Sequence, residues 1–424
     1  MSVTETTGLY YEPWDPRCRD RAFEIYQELL ERAPVYTTPS GMYVVSRYDD
    51  VRDIMARPQL FSNRPNQDET IGFPPKMAPD TPPEVLQDLM AAASQLPLDL
   101  NELLTARVIV GADAPQHTRQ RALVSRGFTP RRIAGVTDVI NRTVSECLAG
   151  IESSGGFDLV ERLATPLPVR VIADILSVEP EHYPDVKRWS DVLATLPTSE
   201  DRGSIDSIIA LLGMLKEFSE YFVPRIEARK ANPLDDLLSD IVRVEDADTL
   251  TATEAVLFLL VLMAAGNETS TNLIGNTAVA LLQNPDQLAL LQADPTLVPR
   301  AIEESVRYRS PFQFLFREAI EDVEVAGTVI PKGGMIVILV GAANHDPRHF
   351  EAPERFDITR TTPHLAFGHG IHFCLGAHLG RAEAIGALTG LLPHLSRFRL
   401  ADEPLEPIGS LLICGYQRIP LVRA

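Results

Sequence analysis

The chain has 424 residues, of which 39 are lysine or arginine and 58 are aspartate or glutamate, so its formal net charge is −19. Such an acidic balance argues against nucleic acid as a partner. The polar N-terminal segment, residues 1–20, predicts neither a signal peptide nor a membrane anchor. The cysteines form no disulfide framework, which fits a reducing cytoplasm; they are Cys18, Cys147, Cys374 and Cys414.

The chain shows no Gly/Ser-rich linker, repeat or low-complexity tract, so a single domain over residues 1–424 is the simplest prediction. Strand patterns occur at about 35–48 and 323–340, and helical patterns dominate about 110–310 and 375–397. We therefore predict a mainly α protein with a smaller β region, an α+β fold. A long Pro-rich segment from about Asn63 to Leu104 is predicted to act as a mobile lid.

A helix is predicted to begin after Pro115, with His117 and Arg121 four residues apart on one face. Five arginines lie close together here, with no acidic residue between Asp113 and Asp138. They either offset acidic neighbours or form a docking surface for an acidic partner. These arginines are Arg119, Arg121, Arg126, Arg131 and Arg132.

A long helix is predicted from near Thr251 to just before Pro285, opened by a capping-box pattern, Thr251 to Glu254. At 1.5 Å per residue it spans about 48 Å. Residues 256–266 are almost wholly apolar, too short a run for a membrane span. Polar residues 267–270 interrupt this pattern, and buried polar residues need either local partners or a function.

Glu304 and Arg307 share one face of a helix predicted over 298–309. Taken alone, such a pair is an ordinary solvated ion pair.

Near the C-terminus, Phe367 to Gly376 reads Phe-Gly-His-Gly-Ile-His-Phe-Cys-Leu-Gly, just before a helix predicted from about Ala377 to Leu392. A thiolate is stabilised near a helix N-terminus and can bind a haem iron. Two other interpretations are a buried structural cysteine and a zinc site. The zinc ligands would be His369, His372, Cys374 and His378.

The segment Phe-Gly-x-Gly-x-His-x-Cys-x-Gly resembles the haem-binding loop of the cytochrome P-450 family, the haem-thiolate monooxygenases. Three further segments, around His117, Thr269 and Glu304, extend the resemblance over most of the chain. The resemblance implies the family's fold, with haem b between the long central helix and the helix after the cysteine loop. The chain looks like the soluble, bacterial type.

The resemblance also implies site residues. Cys374 would bind the haem iron, while Thr269 would hold oxygen and Glu268 would relay protons. Residues implied in haem binding are His117, Arg121, Ala265, Gly266, Arg317, Phe367, Gly368, His372, Cys374 and Gly376, with His117, Arg121, Arg317 and His372 at the propionates. Glu304 and Arg307 would form a structural brace with Arg355.

The implied pocket residues are apolar, which predicts a steroid, terpenoid, fatty acyl or macrolide substrate. They are Phe312, Phe314, Leu315, Leu411, Leu412 and Ile413. The same side chains would also suit a core. Relatives often have Arg-Gly where this chain has Cys414-Gly415, which leaves the pairing of the C-terminal hairpin open.

The function implied is insertion of one oxygen atom from O2 into an apolar small molecule. Electrons would come from a ferredoxin and its reductase, with the ferredoxin docking at Arg119, Arg126, Arg131 and Arg132. The alternatives are a peroxide-driven or redox-neutral haem-thiolate enzyme, and a haem-based ligand sensor or carrier.

Overall fold

The computed structural model describes residues 9–19, 21–64, 81–105, 107–195, 205–242, 250–410 and 412–424. It divides into two compact units. The first comprises Met1–Pro65, Thr137–Pro168 and Thr269–Ala424, and the second comprises Asn66–Val136 and Val169–Glu268.

Helices dominate the described chain, as the sequence predicts. In chain order they are α1 (Pro16–Arg19), α2 (Ala22–Arg32), α3 (Tyr48–Ala56), α4 (Pro83–Ala93), α5 (Leu100–Thr105), α6 (Gln116–Ser125), α7 (Pro130–Leu148), α8 (Pro166–Ile175), α9 (Tyr183–Thr195), α10 (Ile205–Ala231), α11 (Leu237–Val242), α12 (Ala252–Gln283), α13 (Pro285–Ala293), α14 (Val298–Tyr308), α15 (Val340–Ala343) and α16 (Ala377–Leu395).

The described strands all belong to the first unit. They are β1 (Val35–Thr37), β2 (Tyr43–Val45), β3 (Phe61–Ser62), β4 (Gly156–Asp158), β5 (Leu315–Ala319), β6 (Val323–Val325), β7 (Thr328–Ile330), β8 (Met335–Ile338), β9 (Phe398–Leu400) and β10 (Pro420–Arg423). They form a five-stranded sheet in the order β1-β2-β8-β5-β3, a three-stranded sheet β4-β10-β9 and a hairpin β6-β7. The β2–β8 pair is parallel and the other pairs are antiparallel.

The five-stranded sheet has a hydrophobic cluster on each side of its strands, because successive residues of a strand point to opposite faces. On β8, Met335 and Val337 join one cluster with residues of α2, whereas Ile336 and Ile338 join the other with residues of α3. The sheet is therefore buried on both faces and provides a fixed base for the loops that follow its strands.

Helix α12 begins as the capping box predicts. The N–H of Glu254 donates to the Thr251 hydroxyl (3.0 Å), and the N–H of Thr251 donates to the Glu254 carboxylate (3.1 Å). Among the described helices, α12 is long and apolar enough to cross a membrane, with a mean hydropathy of 1.3 over its best window. Core helices of soluble proteins have the same character, and 44% of that window is buried within the protein.

The structure also contains strands that the sequence pattern did not predict. β5 reads Leu-Phe-Arg-Glu-Ala, and its two adjacent charges break the expected alternation of apolar and polar residues. Helices α4 and α5 lie within the segment that was predicted as a lid, and residues 65–80 of that segment lie outside the described chain.

Glycines bring α16 close to α7. A Cβ atom at Gly386 would collide with Ile140, and one at Gly390 would collide with Val144. Both neighbours are buried and β-branched, so their side chains have little freedom to move within a helix. These glycines allow a tight helix contact in the first unit.

Gly390→Ala should therefore lower the free energy of unfolding by about 1–3 kcal/mol through overpacking against Val144. The matched control is Gly213→Ala in α10, where no described atom beyond the adjacent residues and the helix's own backbone lies within 4 Å of the new Cβ. That control should raise the stability by about 0.5–1 kcal/mol because alanine favours helices. Urea unfolding followed by circular dichroism measures both, and equal effects would contradict the close contact.

Candidate active site

The loop before α16 is held in a tight conformation by two glycines with left-handed backbone angles. Gly368 has φ +74° and Gly370 has φ +71°. A side chain at Gly370 would also begin 2.5 Å from the carbonyl oxygen of Met55. The N–H of Cys374 donates to the carbonyl of Phe367 (2.8 Å), which closes the loop. The loop geometry therefore requires glycine at these positions.

Cys374 lies at the surface of this loop, three residues before α16 begins. Of the four cysteines it is the exposed one; Cys18 and Cys147 are buried and Cys414 is partly buried. Its sulfur therefore lies near a helix N-terminus, where the positive end of the helix dipole is found.

The surroundings of Cys374 fit a flat apolar macrocycle such as haem. Ile371 and Phe373 expose 40% and 39% of their surfaces beside the thiol. Apart from Gly376 itself and the two residues next to it, no atom of the described chain lies within 4 Å of the point where a side chain at Gly376 would begin. The described residues contain no group of three or more His, Cys, Asp or Glu side chains able to hold a metal ion, which removes the zinc interpretation.

The motif of α12 lies within an unbroken helix. Met263, Asn267 and Ser270 are buried, whereas Ala265 is exposed and Thr269 is partly exposed. Residues four apart share one helix face, so Ala265 and Thr269 lie on an open stripe of an otherwise buried helix. Glu268, on the neighbouring stripe, is partly exposed.

Ser270 connects this motif to the helix that follows the cysteine. Its hydroxyl donates to the carboxyl of Glu383, which lies nine residues after Cys374 on α16. Glu383 is 2% exposed, and this burial raises the pKa of its carboxyl to about 8, against the smaller opposing effect of the Ser270 hydrogen bond. Glu383 could not be predicted from the sequence, because no motif in the neighbouring residues indicates that its side chain is buried.

The Glu304–Arg307 pair is fully buried rather than solvated: each side chain is 1% exposed. Arg307 donates to both Glu304 oxygens at 2.8 Å and to the carbonyls of Asn344, Pro353 and Arg355. Arg355 contributes this carbonyl, whereas the second cation beside Glu304 is Arg360, at 3.2 Å. The assignment of the Arg355 side chain to the brace is therefore corrected to Arg360.

The residues implied in propionate binding fall in both units. Arg317, on β5, is 6% exposed and donates to the carbonyl of Phe316 (2.7 Å), and His372 Nδ1 lies 3.4 Å from the amide nitrogen of Asn63. His117 is buried on α6, where desolvation and the neighbouring charge of Arg121 lower its pKa. A neutral His117 offers an N–H donor rather than a full charge.

The arginine group after His117 is partly neutralised within its own unit. Arg119 pairs with Glu254 at 3.0 Å. Arg132 pairs with Asp235 at 2.7 Å and Asp240 at 3.2 Å. The side chains of Arg126 and Arg131 lie outside the described part of the chain.

The segment after Arg307 and the C-terminal hairpin lie together. Phe312 forms a β-bridge with Ile413, and the N–H of Gln313 donates to the carbonyl of Leu412 (2.9 Å). Phe314 and Leu412 are buried in a core cluster, and Phe312 and Ile413 pack against it. Leu315 is partly buried against the other cluster, and Leu411 lies outside the described residues.

The hairpin is paired despite its Cys414-Gly415 sequence. The carbonyl of Gly415 accepts the N–H of Ile408 (3.1 Å), and Asn276 donates to the carbonyl of Cys414 (2.9 Å). A side chain at Gly415 would collide with Asn272 of α12. Gly415 therefore seats the hairpin directly on the long helix.

The raised pKa of Glu383 predicts a pH-dependent stability. The carboxyl holds its proton up to about pH 8 when folded but ionises near the ordinary pKa of 4.5 when unfolded. Its contribution is thus complete below pH 4.5 and is lost as the pH rises through 8. Glu383→Gln, which stays neutral, should flatten the fall in thermal midpoint between pH 5 and 8.5. If the thermal midpoint falls with the same slope in the wild type and in Glu383→Gln, the raised pKa of Glu383 is contradicted. The control is Glu403→Gln, at an exposed bend.

A sequence model of the cytochrome P-450 family matches residues 206–411. The chain is 36% identical over 412 residues to 6-deoxyerythronolide B hydroxylase of Saccharopolyspora erythraea, covering 94% of this chain and 95% of that protein. It is 36% identical over 431 residues to vitamin D(3) 25-hydroxylase of Pseudonocardia autotrophica, covering 99% and 98%.

Among solved structures, CYP109E1 of Bacillus megaterium in complex with corticosterone matches with a TM-score of 0.80 and 32% identity, covering 96% of this chain and 99% of that one. The identity and coverage are far above what a shared fold alone would require. The chain therefore belongs to the cytochrome P-450 family of haem b monooxygenases.

Proposed function

We propose that this protein hydroxylates or epoxidises an apolar small molecule, with Cys374 as the ligand of the haem iron. The observation that carries the proposal is the exposed Cys374 thiol on a glycine-held loop, just before the helix that bonds through Glu383 to Ser270. This arrangement links the helix that follows the thiol to Ser270, the residue next to Thr269.

Haem, when bound, supplies an iron at which O2 is split, so that one oxygen atom enters the substrate and the other leaves as water with two electrons and two protons. The protein must deliver those protons. Glu268 is partly exposed and can take protons from water, and Thr269 on the open stripe of α12 can pass them on through its hydroxyl.

The remaining family positions are proposed to hold the cofactor. Gly376 would allow the macrocycle a close approach, as would Ala265 and Gly266 on α12, and the loop of Phe367 and Gly368 would fix the thiol. The propionates would accept hydrogen bonds from Arg317 and His372 and from His117 and Arg121. Because the pKa of His117 is lowered, that residue would act as a neutral donor.

For the substrate we propose a bulky apolar molecule of the steroid, terpenoid, fatty acyl or macrolide type. Relatives named for 6-deoxyerythronolide B and for vitamin D(3), and a neighbour in complex with corticosterone, support this class. Phe312, Leu315 and Ile413 are the proposed contacts, since each is partly buried, whereas Phe314 and Leu412 serve the core.

We propose that a ferredoxin-type protein with its reductase supplies the electrons, and that the protein works in the cytoplasm. The proposed docking side remains that of Arg119, Arg126, Arg131 and Arg132. The ion pairs of Arg119 and Arg132 offset their charges, so docking there would depend on exchange of those partners.

Replacing Cys374 tests the proposal directly. Cys374→Ala should abolish the strongly red-shifted absorption band of the ferrous carbon monoxide complex, because the sulfur ligand is lost. Cys147→Ala, at a buried cysteine distant in sequence, is the control and should keep the band. A band that persists in the Cys374 variant would place the ligand elsewhere.

Thr269→Ala should uncouple oxygen consumption from product, with most electrons from a surrogate ferredoxin and reductase appearing in hydrogen peroxide. Thr271→Ala, two residues along and off the open stripe, should remain coupled. Unchanged coupling in the Thr269 variant would remove its role. Absence of NADPH-dependent turnover in the wild type across an apolar compound library would instead favour a sensor or carrier.

A further inference from the structure

A cluster of charged and aromatic side chains lies at both ends of the cysteine loop, within the first unit. It consists of Glu303 on α14, His364 and Phe367 before the cysteine, and Arg381 on α16. None of these is assigned to the reaction above except Phe367, as part of the loop. We call it the Glu303 cluster.

Glu303 holds the cluster together by accepting hydrogen bonds from both sides of the loop. Arg381 donates through two nitrogens to the two carboxylate oxygens, at 2.6 and 2.8 Å. His364 Nε2 lies 3.1 Å from the same carboxylate. Because His364 Nδ1 accepts the N–H of Ala366 (3.2 Å), its Nε2 is the protonated nitrogen and donates to Glu303.

The carboxylate of Glu303 is charged across the working range of pH. Burial alone would raise its pKa, but the hydrogen bonds from Arg381 and His364 outweigh burial and lower the pKa to about 2. The cluster therefore contains one fixed negative and one fixed positive charge.

The positive charge is directed at the cysteine loop. The guanidinium of Arg381 lies 4.2 Å from the centre of the Phe367 ring, a cation–π contact. The backbone carbonyl of Phe367 accepts the N–H of Cys374. Phe367 thus contacts both the guanidinium of Arg381 and the backbone of Cys374. The side chain of Arg381 is 26% exposed, so water screens the field of its charge only partly.

A charge at this place acts on the electron density of the sulfur. A nearby cation stabilises the thiolate and favours the added electron when the ferric iron is reduced to ferrous by one electron. A nearby anion has the opposite effect. Because Glu303 and Arg381 are paired, each partly cancels the field of the other.

We propose that Arg381 and Glu303 are positioning residues that act as an opposed charge pair, setting the reduction potential of the haem iron bound by Cys374. The inference rests on the proposed role of Cys374. It assigns to Glu303 a role distinct from that of its neighbour Glu304, which belongs to the brace.

The test is redox titration of the holoprotein under nitrogen, with dithionite and mediator dyes. Arg381→Gln should shift the ferric/ferrous potential to more negative values, and Glu303→Gln should shift it to more positive values. Arg381→Lys keeps the charge and should stay close to the wild type. The double variant should lie between the two single variants.

Opposite signs distinguish electrostatics from a structural effect, since both single variants break the same contacts. The control pair is Arg399→Gln and Asp402→Asn, an exposed ion pair at the end of β9, which should leave the potential unchanged. Shifts of the same sign, or none, in the two Glu303-cluster variants would overturn the proposal. If Arg381→Gln fails to retain haem, the shift of the ferric/ferrous potential in Glu303→Gln decides. A shift to more positive potential supports the proposal, and a negative shift or none overturns it.

Haem retention provides a second readout. Loss of supporting hydrogen bonds around a metal ligand typically costs about tenfold or more in affinity. Haem transfer to excess apomyoglobin should therefore be about tenfold faster in Glu303→Gln than in the control pair. Equal rates would contradict a role of the Glu303 hydrogen bonds in holding the cysteine loop. Failure of the proposed function is separable: the wild type itself would then lack the red-shifted carbon monoxide band.

Discussion

The site depends on the hydrogen bonds of one buried group, the guanidinium of Arg307. An arginine that is 1% exposed is stable only if its donors are satisfied, and here one carboxylate and three backbone carbonyls satisfy them. Those carbonyls, of Asn344, Pro353 and Arg355, belong to the segment that leads to the cysteine loop. The charge of one side chain therefore organises a stretch of chain that has little regular secondary structure. Replacing one partner would leave an uncompensated charge in the interior, which is why the network has to be kept or lost as a whole.

Helix α16, which follows the cysteine loop, contacts three other helices within the first unit. Two glycines of α16 allow close contact with α7, Glu383 bonds to Ser270 of α12, and Arg381 bonds to Glu303 of α14. Because these contacts reach three different helices, α16 has little freedom to slide or rotate. A thiol placed just before such a helix keeps a fixed position relative to Ser270 of α12.

The sequence was most informative where chemistry demands fixed spacing. The glycines around Cys374, the capping box at Thr251 and the motif at Thr269 could be found without a structure, because their roles are encoded within a few consecutive residues. Partners that meet through the fold could not. Arg360 rather than Arg355 pairs with Glu304, although the two arginines are only five residues apart, since the irregular backbone between them decides which side chain turns inward. In the sequence, Glu383 and the charged residues of the Glu303 cluster look like ordinary surface charges, because their burial is not known. Strand β5 could not be predicted because its adjacent arginine and glutamate break the alternating pattern.

The seating of the C-terminal hairpin has a consequence for how this protein can change over evolutionary time. The hairpin is held to α12 by the hydrogen bond from Asn276 to the backbone carbonyl of Cys414 and by the close approach of Gly415 to Asn272. Ile413 can therefore drift among side chains of different size while the main chain around it stays in register. Because Ile413 is a proposed substrate contact, we expect single substitutions there to alter ligand preference while the backbone pairing of the hairpin is kept.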